Sequence, residues 1–195
     1  MAEQPSLFAD AVPPRAPTDR LFFAIFPPPD AAEAIDKTAV QLRADMRLRG
    51  KPLLRERFHT TVNHLGDHAG VPAEVVANAA KAAEAVKTAP FDATYEFIES
   101  FRGRRGNLPC VMRGKDGVRD RIAFQQALGL EMGKAGLSRW VEKRFVPHVT
   151  LLYDDMRVTN RPIAPLSWRV NEFVLVHSLL GQTKHIILGR WSLRG

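Results

Sequence analysis

One small polar pair occurs twice in this chain, each time where apolar residues would be expected. "RFHTTVNHLG" spans residues 57–66 and "RFVPHVTLLY" spans residues 144–153. Each holds a histidine, one spacer and a threonine: His59 with Thr61, and His148 with Thr150. Both stretches are rich in the β-branched and aromatic residues that favour strands. On a strand, side chains at i and i+2 point to the same face. His59 and Thr61 are therefore expected to share a face, with Thr60 and Val62 opposite. His148 and Thr150 are expected to share a face, with Val149 and Leu151 opposite. The offset is 148 − 59 = 89 for the histidines and 150 − 61 = 89 for the threonines. One such strand in each half of the chain points to two related lobes facing each other.

The rest of the pattern alternates strands with helices. Residues 1–18 are rich in Pro and Ala without periodicity and read as a flexible N-terminal tail. Residues 19–195 read as a single bilobal domain. "RLFFAIFPP" is an apolar run stopped by prolines, which suits a buried strand. Asp30 then opens a helix whose apolar face carries Ile35, Ala39, Leu42 and Met46. A second helix, with Val75, Ala79, Ala82 and Val86 as its stripe, precedes Pro90. "FDATYEFIESF" and "LPCVMR" read as strands joined by the polar turn "RGRRGN". A third helix repeats Phe124, Leu128 and Met132, and the chain closes with "SWRVNEFVLVHSLL", a turn and "HIILGRWSL" as one hairpin.

Charge narrows the partners. The 28 Lys and Arg outnumber the 21 Asp and Glu, for a formal charge of +7. Such a surface favours anions, including phosphates and nucleic acid. The single cysteine, Cys110, excludes an intramolecular disulfide and reads as a small residue inside a strand. No apolar run approaches a membrane span, and the N-terminus lacks the pattern of a secretory signal. A cytoplasmic protein without a membrane partner is the expectation, and no obligatory protein partner is evident.

Two imidazoles and two hydroxyls around one space suggest a chemistry. Imidazole is suited to proton transfer near neutral pH. One neutral and one protonated histidine can flank a reacting phosphorus as base and acid. The hydroxyls can donate hydrogen bonds to its non-bridging oxygens. No metal is then required. His59, His64 and His68 are carried by no helix, Gly66 interrupts them and Asp67 is the only local acid, which argues against a metal site.

These motifs resemble those of the 2H phosphoesterase superfamily, and within it the RNA 2′,3′-cyclic phosphodiesterases, also called 2′-5′ RNA ligases (LigT-like). "RLFFAIFPPPDAAEAI" is similar to that family's opening strand and helix, and "NEFVLVHSLLGQTKHIILGRWSL" to its closing hairpin. The resemblance implies an α+β fold with two antiparallel β-sheets and flanking helices around a central cleft. It implies hydrolysis of 2′,3′-cyclic phosphate ends of RNA or nucleotides to 2′-phosphates, with 2′-5′ ligation as the reverse. His59 would protonate the departing 3′ oxygen, His148 would activate water, and Thr61 and Thr150 would hold the phosphate. No cofactor is implied. Sister activities stay open: a phosphodiesterase on ADP-ribose 1″,2″-cyclic phosphate or on 2′-5′ oligonucleotides, or a non-catalytic RNA-end-binding protein.

The chain departs from the family pattern at two places. Asn63 and His64 stand where the family often has other residues, and regular alternation puts Asn63 on the face of His59, within reach of substrate. Tyr153 stands where many relatives carry arginine, and regular alternation points it away from His148. Arg104 and Arg105, on the "RGRRGN" turn, are further candidates for contact with RNA.

Overall fold

Eight strands in two antiparallel sheets, with three helices, make up the computed structural model, which describes residues 15–104, 106–115 and 118–195. The order is β1 (Asp19–Ile25), α1 (Pro29–Met46), β2 (Thr60–His68), α2 (Ala73–Ala85), β3 (Phe91–Ser100), β4 (Leu108–Arg113), α3 (Arg119–Lys134), β5 (His148–Asp154), β6 (Arg161–Val170), β7 (Glu172–Leu179) and β8 (Lys184–Ser192). The first sheet runs β2-β1-β7-β8 and the second β5-β4-β3-β6. This is the two-sheet α+β architecture expected from the motifs. Each motif strand is the edge of its own sheet, and β2 packs against β5. The doubled pair thus lies on two facing edges.

Local chemistry sets the element ends. Prolines cannot continue a ladder, and "FPPP" stops β1. Pro29 then starts α1, where a missing N–H costs nothing. Arg47, with φ of 53°, turns the chain out of α1, and the amide of Leu48 closes back on the Arg43 carbonyl at 3.0 Å. The predicted apolar stripes are the buried faces: Ile35, Ala39 and Leu42 on α1, Ala79 and Ala82 on α2, and Phe124, Leu128 and Met132 on α3. They join the inner faces of both sheets in one continuous core. Cys110 is buried within β4, and burial pushes its thiol up to about 12, which suits packing and not nucleophilic work.

The closing segment differs from the single hairpin read from the sequence. Arg161–Val170 is a separate strand that pairs with β3 in the second sheet, and the chain crosses at Asn171 into β7 of the first. Alternation through "SWRVNEFVLV" is unbroken by a turn signal, so pattern alone cannot see the switch of sheets. Thr18, assigned to the tail, is already fastened. Its amide donates to the His68 carbonyl, and its own carbonyl accepts from Leu180. Next to it, the buried Asp19 carboxylate takes Thr18 Oγ1, the Gly70 amide and His177 Nε2. His177 is thereby part of the anchor of β1.

Candidate active site

The two histidines are held in the same way. Nδ1 of His59 donates to the backbone oxygen of Arg57 at 2.7 Å, and Nδ1 of His148 donates to that of Val146 at 2.7 Å. A carbonyl only accepts, so the proton sits on Nδ1 in each neutral ring. This leaves Nε2 of both rings as the atom that can take or give a proton. His59 lies one residue before β2 and His148 begins β5. Aromatic walls fix both rings. His59 stacks on Phe22 at 5.0 Å between centroids and leans on Phe26 at 5.5 Å, while Phe101 meets His148 edge-on at 4.8 Å.

Burial dominates the protonation of both. It pushes His59 down to about 4, with smaller contributions from the charges of His185, Arg57 and His148. It also pushes His148 below the ordinary imidazole range, and the Arg113 guanidinium adds to this. Burial thus favours the neutral form of each imidazole of the motif pair. A bound phosphate anion favours a proton on a ring beside it, which offsets the cost of burial.

Thr61 and Thr150 each follow their histidine by two residues and lie on the half-buried side of the strand, between buried core neighbours. Beyond them the strands leave regular alternation. Ala24 pairs with Thr61 but Phe23 pairs with Asn63, so β2 carries an extra residue at Val62. Val111 pairs with Thr150 but Cys110 with Leu152, so β5 carries an extra residue at Leu151. These are β-bulges at equivalent places, again 89 residues apart.

The bulges correct both readings that rested on regular alternation. Asn63 does not face the cleft. It is buried, and its Oδ1 accepts from Gln125 Nε2 and from the Glu142 amide, both at 3.1 Å. His64 takes the exposed face instead. Tyr153, expected to point away, is 45% exposed while Leu151 and Leu152 are buried beneath it, so it shares the face of His148 and Thr150. Arg104 is exposed on the turn between β3 and β4, bridged to Asn107. Arg105 lies outside the described residues.

Other strands add groups that sequence reasoning missed. Arg20 on β1 forms two 2.7 Å hydrogen bonds to Asp67, and His64 Nε2 lies 3.2 Å from the same carboxylate. Those partners hold the Asp67 carboxyl down at about 2, the Arg20 hydrogen bond first. Tyr153 lies within electrostatic reach of Arg20, which groups it with Arg20, Asp67 and His64. Arg113, paired with His148 across β4 and β5, sits over Phe97 and Phe101 and is salt-bridged to Glu99. From β8, the ring of His185 meets His59 edge-on at 5.4 Å. Only the spacing of apolar residues hinted at the bulges: Val62 and Leu65 are three apart, and Leu151 and Leu152 are adjacent. Nothing local marked Arg20 or His185, since each reaches the cleft from a different strand of the sheet.

A family model described as the 2′-5′ RNA ligase superfamily matches residues 27–182. A comparison with curated proteins returned no match. Among solved structures, one described as a phosphoesterase is 27% identical, covers 91% of this chain and 99% of its own, and superposes with a TM-score of 0.68. LigT of E. coli in its apo form is 27% identical over 92% of this chain and 100% of its own, with a TM-score of 0.65, and has also been crystallised with 3′-AMP. TT0787 of Thermus thermophilus is 24% identical over 90% and 98% of the two chains, with a TM-score of 0.70, and shares the fold.

Proposed function

The chain belongs to the 2′-5′ RNA ligase superfamily, and on that premise we propose that it hydrolyses 2′,3′-cyclic phosphate ends of RNA or nucleotides to 2′-phosphates. The observation that carries this reading is the matched pair His59 and His148. Both present a free Nε2 from facing strands, each beside a threonine. That arrangement supports in-line displacement without a metal, because the two rings supply both proton transfers. A relative, E. coli LigT, was crystallised with 3′-AMP and with phosphate, which agrees with a nucleotide phosphate in this cleft.

The roles proposed for the two rings are those the family resemblance implies, and the geometry is compatible with them. Nε2 of His148 takes a proton from water as its oxygen bonds to phosphorus. The bond from phosphorus to the 3′ oxygen breaks, and Nε2–H of His59 gives that oxygen its proton. The product holds a 3′-hydroxyl and a 2′-phosphate, and proton exchange with solvent resets the two rings. Thr61 and Thr150 donate to the non-bridging oxygens, where charge grows in the transition state. With a 5′-hydroxyl in place of water as the attacking group, the same steps in the same direction join a 2′-5′ linkage and free the 3′-hydroxyl; run backwards, they cleave that linkage to the cyclic phosphate. His64, Tyr153 and Arg20 offer two rings and a guanidinium for a base.

Incubation with adenosine 2′,3′-cyclic phosphate in excess chelator tests the proposal. Release of adenosine 2′-phosphate supports it. A 3′-phosphate product contradicts the assignment of acid and base, and no turnover alongside tight binding favours an RNA-end-binding protein. Turnover of ADP-ribose 1″,2″-cyclic phosphate in preference to any RNA end would favour the sister activity.

A further inference from the structure

Beside His59, a cavity of about 490 Å³ opens between β7, β8, the residue just after β1 and the segment before β2. That volume suits a small ligand or one nucleotide unit. Its wall is mixed in a particular way. Phe26 and Ile187 supply apolar surface, and Arg57 and Lys184 supply charge. Arg190 is also there but is engaged by Glu172. Neither Arg57 nor Lys184 has a carboxylate in salt-bridge range among the described residues.

Two features tie this cavity to the reacting centre. Phe26 and His185 both line it, and both pack on the ring of His59. Two shielded donors on this wall also lack acceptors of good geometry among the described residues: Nε–H of Arg57 and the single N–H of the His185 ring, which burial keeps neutral. Buried donors without partners are uncommon and call for an explanation. A phosphate brings the oxygen acceptors that this wall lacks.

We infer that this cavity is a second nucleotide subsite, which holds the nucleotide on the 5′ side of the reacting RNA end. The inference rests on the proposed function and extends it to substrate length. If His59 protonates the 3′ oxygen, the terminal ribose lies on the His59 side of phosphorus. The chain leading 5′ from that ribose then leaves past Phe26 and Arg57. Its phosphodiester meets Arg57 and Lys184, its base lies against Phe26 and Ile187, and Glu56 on the rim can accept from a ribose hydroxyl or base amine. A free cyclic mononucleotide leaves the cavity empty, so the protein favours RNA ends over mononucleotides.

The experiment compares kcat/KM for adenosine 2′,3′-cyclic phosphate with that for an RNA trinucleotide ending in the same cyclic phosphate. It uses the wild-type chain, Lys184→Glu and Ile187→Trp. The expected wild-type ratio favours the trinucleotide by roughly tenfold or more, the worth of one charge-assisted contact. Each substitution should draw that ratio toward one, Lys184→Glu by repulsion and Ile187→Trp by filling the space. A wild-type ratio near one overturns the subsite, as does a ratio that neither substitution moves. Those outcomes leave the proposed function standing. If the wild-type chain turns over neither substrate, the proposed function fails and the subsite fails with it.

Discussion

His59 and His148 are held by the same hydrogen bond, each donating Nδ1–H to the carbonyl oxygen two residues earlier at 2.7 Å. The equivalence fixes one tautomer for both rings and leaves Nε2 of each as the atom that can take or give a proton. The surroundings then divide them. His59 sits among Phe22, Phe26 and His185, whereas His148 has Phe101 on one side and the Arg113 charge nearby. Acid and base roles need that kind of difference.

The pH dependence should reflect the buried rings. Burial lowers both histidines, His59 to about 4. The free enzyme needs one ring protonated and one neutral, so kcat/KM should trace a bell whose optimum lies on the acid side of ordinary imidazole. Substrate anion favours protonation, so the kcat profile should lie at higher pH than that of kcat/KM. Rates measured from about pH 3.5 to about pH 9 check this; coincident profiles centred above neutral pH would contradict it.

Asn63→Ala should act on stability. It removes the acceptor of Gln125 and of the Glu142 amide in a buried setting. The expected loss is about 1–3 kcal/mol in urea unfolding, with KM little altered. A large rise in KM at full stability would return Asn63 to the cleft.

Tyr153→Ala should act the other way. The side chain is exposed on the face of His148, and losing a stacking ring costs roughly tenfold in KM. Tyr153→Phe should keep most of that affinity. Unchanged KM in the alanine variant would remove Tyr153 from the binding surface.

Arg104→Ala should weaken RNA binding at low salt and lower the slope of log K against log salt by about one. The turn that carries Arg104 begins just after Phe101, which touches His148. Fluorescence anisotropy with labelled RNA reads both quantities. An unaltered slope would make the turn a solvated hairpin tip.

Much of this was legible in the sequence, for identifiable reasons. Helix stripes such as Phe124, Leu128 and Met132 follow a period that burial enforces, and they fell where expected. The motif histidines were legible because polar residues are conspicuous in apolar strands. Asn63 and Tyr153 were misread because one extra residue in a strand flips every later side chain. Arg20, Arg113 and His185 reach the cleft through pairing between strands distant in sequence, and local pattern holds no record of that. The split of β6 from β7 was hidden for the same reason.

The division of labour between the two histidines is the central claim, and leaving-group dependence tests it most directly. Turnover is measured for His59→Ala and His148→Ala on adenosine 2′,3′-cyclic phosphate and on a p-nitrophenyl phosphodiester, whose phenolate departs without needing a proton. On the cyclic phosphate each variant should lose roughly 10²–10⁴-fold. On the aryl ester His59→Ala should regain most of its loss, and His148→Ala should not. Equal impairment of both variants on both substrates, or full activity in either variant on the cyclic phosphate, would contradict the account.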